Sequence, residues 1–287
     1  MIKTVPLLDQ YAGPFFATVF LVLLFLGWKF PLRRAHFSKL SRLIRNAVFS
    51  VPGFALARIS LVPIPILVSV WAARHHIGLL RLLPLPPWLA VIAGVLVMDY
   101  VYWWWHVALH RLSFLWRFHN VHHSDLDMDV STGIRFHFGE VILSIPLRVV
   151  TVLVFGIGLW ALVAFEFFFE TLNLFEHSNW RLPLDVERLL NHCLVTPRMH
   201  GIHHSIVQRE TNSNWGVIFC WWDKLHRTLR RDIPQDAITI GVAAYRDESE
   251  LTTGKLFLLP FREQRPWRLP DGGVPDRAPR PTDELVP

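Results

Sequence analysis

Four apolar stretches, at about residues 14–28, 51–73, 87–105 and 141–175, decide what this chain can become. A helix needs roughly 20 mainly apolar residues to cross the hydrocarbon of a bilayer, and stretches on this scale read as membrane helices rather than as the core of a soluble domain. The second stretch carries Arg58, Pro63 and Pro65, so a kink is expected there. The fourth is short for two full spans and holds Gly156 and Gly158 near its middle. A tight helical hairpin that enters and leaves on one side fits it better. The expected fold is all-α: an integral membrane bundle of about four embedded helices plus a hairpin element, capped by histidine-rich helices.

Lys29, Arg33, Arg34, Lys39, Arg42 and Arg45 follow the first stretch. Cationic loops stay on the cytoplasmic side. The second stretch then crosses outward and the third returns, so everything from His106 onward is expected to be cytoplasmic; Arg74 and Arg81, in the opposite loop, pull weakly the other way. The expected setting is a bacterial inner membrane or a membrane of the endoplasmic reticulum type. The overall balance is 52% hydrophobic with a formal charge of +6. Because the cations flank apolar runs and no basic recognition motif appears, the charge points to a membrane surface and not to nucleic acid. Residues 1–11 lack the basic start and cleavage site of a signal peptide, so the first span is expected to be retained. Cys193 and Cys220 make no disulfide framework and read as small core residues. The expected organisation is N-terminal membrane helices over 1–86, a catalytic region over 87–230 and an extension over 231–287, rich in Pro, Arg and Asp and disordered after about 264.

Histidine is the unusual residue, with fifteen in the chain. His106 and His110 form H-x-x-x-H, while His119, His122 and His123, and again His200, His203 and His204, form H-x-x-H-H. Spacings of three and four residues bring imidazoles onto one helix face. One such pair is a common accident; three clusters, two of identical pattern, are not. Imidazole suits iron, zinc and copper, and eight ligands exceed what one ion can use, so the count points to two metals.

Taken in order, these motifs resemble the fatty acid hydroxylase superfamily, also called the sterol desaturase family. Asp99-Tyr100-Val101-Tyr102-Trp103 resembles that family's approach to its first box. Arg135-Phe136-His137-Phe138-Gly139-Glu140 resembles its R-x-H-P-x-E stretch, with Phe138 in place of proline. His177-Ser178-Asn179, Thr196-Pro197-Arg198-Met199, Asn214-Trp215-Gly216 and Trp222-Asp223-Lys224 resemble further family segments. Val107 stands where many members have arginine. The resemblance spans roughly residues 91–228. It implies two iron ions held by His106, His110, His119, His122, His123, His200, His203 and His204, with His177 a ninth ligand and His137 a tenth. His36, His75, His76, His192 and His226 fall outside these motifs.

Glu166, Glu170, Asn173 and His177 recur at i, i+4, i+7 and i+11 on one helix stripe, and Asp99 shares a face with His106 and His110. Acids within a span are turned toward a partner or a cavity. Asp99, Glu166, Glu170 and Asn173 are therefore expected to accept hydrogen bonds from ligand imidazoles; helix–helix bonding is the plainer alternative. The tryptophan-rich stretches read as interfacial belts or packing.

The resemblance implies an oxygenase: an iron pair activates O2 and cleaves a C–H bond of a lipid, such as a sterol or fatty acyl chain, giving an alcohol or an alkene. No dinucleotide fingerprint is present, so electrons are expected from a separate reductase or cytochrome-type carrier, with Arg198, Arg209 and Lys224 available for docking. Two alternatives compete: a desaturase or hydrocarbon monooxygenase of the other histidine-box family, and a histidine-lined, metal-dependent membrane transporter.

Overall fold

The computed structural model describes residues 5–277, and the last ten residues of the expected disordered tail lie outside that range. Every regular element among the described residues is helical, and strand-like pairing is limited to isolated bridges such as Leu194 with Phe219.

Helix α1 (Val5–Lys29) is the first candidate span. Helix α2 (Lys39–Leu56) starts at Ser38, whose side chain accepts a hydrogen bond from the Ser41 amide. It passes through a wide turn at Ala57–Leu61 into α3 (Pro63–Arg74). Pro63 has no N–H to continue a regular ladder. The turn resolves this with a longer step, Val62 N–H to Ala57 O at 3.0 Å, so that proline lands in the first turn of the next helix, where its missing N–H costs nothing. This interruption of the regular ladder falls in the stretch where a kink is expected. Helix α4 (Pro87–Arg111) likewise begins on a proline.

Helices α6 (Phe138–Phe155) and α7 (Leu159–His177) are joined by the short turn expected of a hairpin, but they do not close tightly on each other: α6 packs mainly on α2 and α3, and α7 mainly on α4. Gly156 closes α6 in the left-handed region at φ 70° and seats against Gly78, itself at φ 114°. A Cβ on Gly78 would lie 2.1 Å from Gly156, so only a glycine pair lets these two turns touch. Ser69 adds a 2.6 Å hydrogen bond to the Ile157 carbonyl at the same end. That end holds His75 and His76; the histidine boxes lie at the other.

Residues 10–29, 39–82, 87–111 and 138–155 are each long and apolar enough to cross a membrane, yet only 11–33% of their span windows is buried. Leu21, Phe25, Ile59, Leu67, Trp71 and Trp160 face outward. Such an apolar exterior suits a lipid solvent. Inside, α4 packs on α6 and α7 through Met98, Tyr102, Val152, Ala161 and Phe165.

The cap is built from short helices: α5 (Ser113–His123), α8 (Leu184–Leu190), α9 (Pro197–His203), α10 (Gln208–Thr211), α11 (Trp221–His226) and α12 (Thr253–Leu258). A buried charge network ties it to α2. Arg42 donates to both oxygens of Asp125 at 2.9 and 2.8 Å and to Asp129 at 2.7 Å, and Asn46 links Asp125 to Arg135. Residues after α12 carry no helix beyond a single turn at Leu259–Phe261, but cross α5 closely: Gln264 accepts from Asn120, and Trp267 packs on Trp116 and donates to the Ile206 carbonyl. Of the cysteines, Cys220 is buried as expected, whereas Cys193 is exposed.

Candidate metal centre

Four helices converge at the cap end. The last turns of α4 present His106 and His110, α5 presents His119, His122 and His123, α7 ends on His177, and α9 supplies His200 and His203 with His204 at its C-cap. Their ring nitrogens gather into two groups, His106, His110, His119, His123 and His203 in one, and His122, His177, His200 and His204 in the other, all within 4.8 Å inside each group. The i, i+3, i+4 spacing divides rather than merges each H-x-x-H-H motif. His119 and His123 turn to the first group and His122 to the second; His203 turns to the first, His200 and His204 to the second.

Within the groups Nε2 atoms face one another at 3.1 Å (His110–His123), 3.2 Å (His119–His123), 3.0 Å (His122–His177), 2.9 Å (His177–His200) and 3.1 Å (His200–His204). The outer nitrogens show why these atoms carry lone pairs. Nδ1 of His106, His177 and His203 lies 3.0, 2.7 and 2.8 Å from the carbonyls of Trp215, Asn173 and Ser213. A carbonyl only accepts, so each Nδ1 is the protonated nitrogen and each neutral ring points a bare Nε2 inward. Nε2 of His106 and of His203 is buried without any hydrogen-bond partner. Crowded lone pairs repel unless a cation lies between them. Metal–imidazole bonds of about 2.0–2.1 Å set neighbouring nitrogens about 3.0–3.4 Å apart, so both groups fit a metal ion each.

Electrostatics hold the rings in the ligating form. Burial, then neighbouring imidazoles, pushes His122, His123, His200 and His204 well below the ordinary histidine value; burial takes His203 down to about 3. Neutral imidazole is the species a metal binds.

The fatty acid hydroxylase family matches residues 91–228, the segment that carries all nine of these histidines. Residues 91–228, just under half of the chain, are therefore similar to a fatty acid hydroxylase domain. Over 161 residues it is 30% identical to an ornithine lipid hydroxylase of Rhizobium tropici, covering 53% of this chain and 45% of that protein. Over 278 residues it is 24% identical to an alkylglycerol monooxygenase of Danio rerio, covering 93% and 57%. A very-long-chain aldehyde decarbonylase of Oryza sativa subsp. indica is 24% identical over 184 residues, 58% and 28% of the two chains. The chain thus spans about half the length of the first two relatives and less of the third. No solved structure matches.

Within the matched segment His137 is not brought to either group. Its Nδ1 accepts from the Gly139 amide at 2.9 Å, capping α6, and its Nε2 faces the Phe257 carbonyl at 3.3 Å. The residues expected to receive imidazole N–H groups also work elsewhere. Asp99 accepts from the Ile218 and Phe219 amides and, at 2.6 Å, from Trp222 Nε1. It holds the loop whose Trp215 carbonyl meets His106, one step removed from the ring. Glu166 pairs with Arg148. Glu170 borders a cavity. Asn173 does meet His177, but through its backbone carbonyl, while its side chain donates to the Gly133 carbonyl at 2.7 Å. Among the described residues, the carboxylates that touch imidazoles of the two groups are Glu140, 3.1 and 3.2 Å from His119 Nδ1, and Glu176, 3.8 Å from His177 Nδ1 and 3.7 Å from His200 Nε2. Glu140 closes the R-x-H-x-x-E stretch and was readable from that motif; Glu176 falls off the acidic stripe and had no signal beyond its place next to His177.

A third acid outside the expected set is Asp223, which accepts from the Trp215 and Gly216 amides and from Trp103 Nε1 at 2.9, 2.8 and 3.1 Å. The three cations offered to an electron carrier are partly engaged within the chain: Arg198 with Glu187, Arg209 with Asp276 and Lys224 with the His192 carbonyl. Beneath the histidines lies a partly open cavity of about 150 Å³, walled in part by residues 50–61, which precede the matched segment. Its roof is His106, His119, His122, His177 and His200, and its walls descend between α2, α4, α6 and α7 past Phe54, Ala57 and Leu61.

Proposed function

We propose that this protein is a di-iron lipid oxygenase that inserts oxygen into, or desaturates, an unactivated C–H bond of a lipid drawn from the membrane. Two groups of inward-facing, neutral imidazoles that roof an apolar cavity carry this reading. Five histidines would hold one ion and four the other. Bound iron supplies the redox chemistry that lets O2 attack a C–H bond, which zinc lacks. The chain supplies the rest. Carbonyls of Trp215, Asn173 and Ser213 and the Glu140 carboxylate fix ring orientation and tautomer. The walls of α4, α6 and α7 exclude water and align an acyl chain below the imidazoles. Glu176 lines the cavity with one carboxylate oxygen unpartnered, where it can hold a proton beside the reacting carbon.

The names of the relatives, a lipid hydroxylase and an ether-lipid monooxygenase among them, support a lipid substrate and leave its headgroup open. Electrons would come from a separate carrier, and the histidine face would look into the cytoplasm. The decisive experiment loads purified protein with ferrous iron without air, counts iron per chain, and compares lipid extracts of cells with and without the gene. Two iron ions and lipids heavier by one oxygen, or lighter by two hydrogens, are expected. Zinc alone, with no oxygen uptake and no altered lipid, would overturn the oxygenase reading in favour of metal transport.

A further inference from the structure

A cavity meant only for hydrocarbon needs no charge in its wall, and an ionisable residue at membrane depth is costly unless it has work to do. Yet Tyr102, Arg148 and Glu170 all border this one. The Arg148 guanidinium lies over the Tyr102 ring, 4.9 Å from its centroid, and pairs with Glu166. Three hydrogen-bonding groups are left over. The Tyr102 hydroxyl and Arg148 Nε are buried without a partner, and the Glu170 carboxyl receives no hydrogen bond from any described residue. Buried groups of this kind are expensive to leave unmet.

The charge balance selects the ligand. Arg148 is already compensated by Glu166, and Glu170 stands nearby as a second acid, so an incoming carboxylate or phosphate would find no free countercharge. An ammonium would meet Arg148. A neutral hydroxyl avoids both: its oxygen accepts from Tyr102 and Arg148, and its hydrogen is donated to Glu170. Helix rise places Tyr102 about 6 Å below His106 and Glu170 about 10 Å below His177. We propose that the cavity selects a lipid bearing an uncharged hydroxyl, gripped by Tyr102, Arg148 and Glu170 some 6–10 Å below the imidazoles. This names the substrate class of the proposed oxygenase and rests on that cavity being its substrate site.

Scintillation proximity binding of tritiated 1-hexadecanol, hexadecane and hexadecanoate to the purified full chain, with and without iron, tests it. Hexadecanol should bind at least several-fold more tightly than either competitor. Tyr102→Phe, which removes one oxygen and keeps the ring, and Glu170→Leu should each weaken hexadecanol about 3–10-fold, the worth of one buried hydrogen bond, and leave hexadecane unchanged. Equal binding of the three probes, preference for hexadecanoate, or an unaltered ranking in both variants would overturn the proposal. The wild-type ranking alone decides if a variant fails to fold. The ranking needs no turnover, so if it holds while no lipid is oxidised, only the oxygenase reading falls.

Discussion

Glu140 offers the sharpest test of the two-group arrangement, because it touches one group and not the other. Its carboxylate is buried and accepts the Nδ1–H of His119 at 3.1 and 3.2 Å, and His119 belongs to the five-histidine group. A hydrogen bond to a charged acceptor is worth about 1.5–3 kcal/mol and one to a neutral acceptor about 0.5–1.5. Glu140→Gln, which keeps the volume and an acceptor but removes the charge, should therefore weaken one ion by about 1–1.5 kcal/mol, close to tenfold. Glu140→Ala frees the ring altogether and should approach the hundredfold losses typical of outer partners of a ligand. Anaerobic titration with ferrous iron against a competing chelator, with Mössbauer spectra to separate the two environments, reads both affinities. One affinity should fall while the other stays close to wild type. Equal loss at both, or wild-type binding at both in Glu140→Ala, would refute the assignment of His119 to a single ion.

His203→Ala should remove one iron and all turnover, whereas His137→Ala should keep both and lose about 1 kcal/mol of stability, as expected of a helix cap; metal content and thermal unfolding separate the two. Arg42→Ala should destabilise the protein by about 3–5 kcal/mol, because Asp125 and its neighbours would remain buried without their main countercharge; a Tm near that of wild type would show the network to be dispensable. Lowering the pH below about 6.5 should empty and destabilise the centre. The folded values of His122, His123, His200 and His204 lie well below the ordinary one, so the unfolded chain binds more protons across that window and stability rises with pH through it. Metal-free protein whose Tm is flat from pH 7.5 to 5 would contradict this sign.

The membrane helices, the break before Pro63 and the glycine turn after α6 were legible because each follows from a local rule: apolar length, a proline without an N–H, a glycine free to adopt positive φ; how α6 and α7 pack was not, since each closes on other helices. Eight of the nine gathered histidines were legible for the same reason, since spacing alone puts them on shared faces; His177, which stands alone in the sequence, was reached only through the family resemblance. The partition of His119 and His123 from His122 was not, because it depends on where α9 arrives. The supporting acids were misread for a similar cause. Glu166 and Asp99 lie on plausible helix faces, but a face is wider than a hydrogen bond, and the partners they meet come from α6 and from the segment around Ile218–Trp222. His137 carries the right motif and caps a helix instead, an outcome decided by the position of Phe138 as the first helical residue.

Leu256, Leu259 and Trp267 lie well past residue 228, where the recognisable family segment stops, yet they pack with Phe49, Val121 and Trp116. Asn120 and Arg117 of α5 are tied to the same stretch. Shortening the gene to its recognisable motif would therefore strip the outer coat from the helix that bears His119, His122 and His123. For anyone preparing this protein, the portion that inheritance marks out is smaller than the portion that must be expressed.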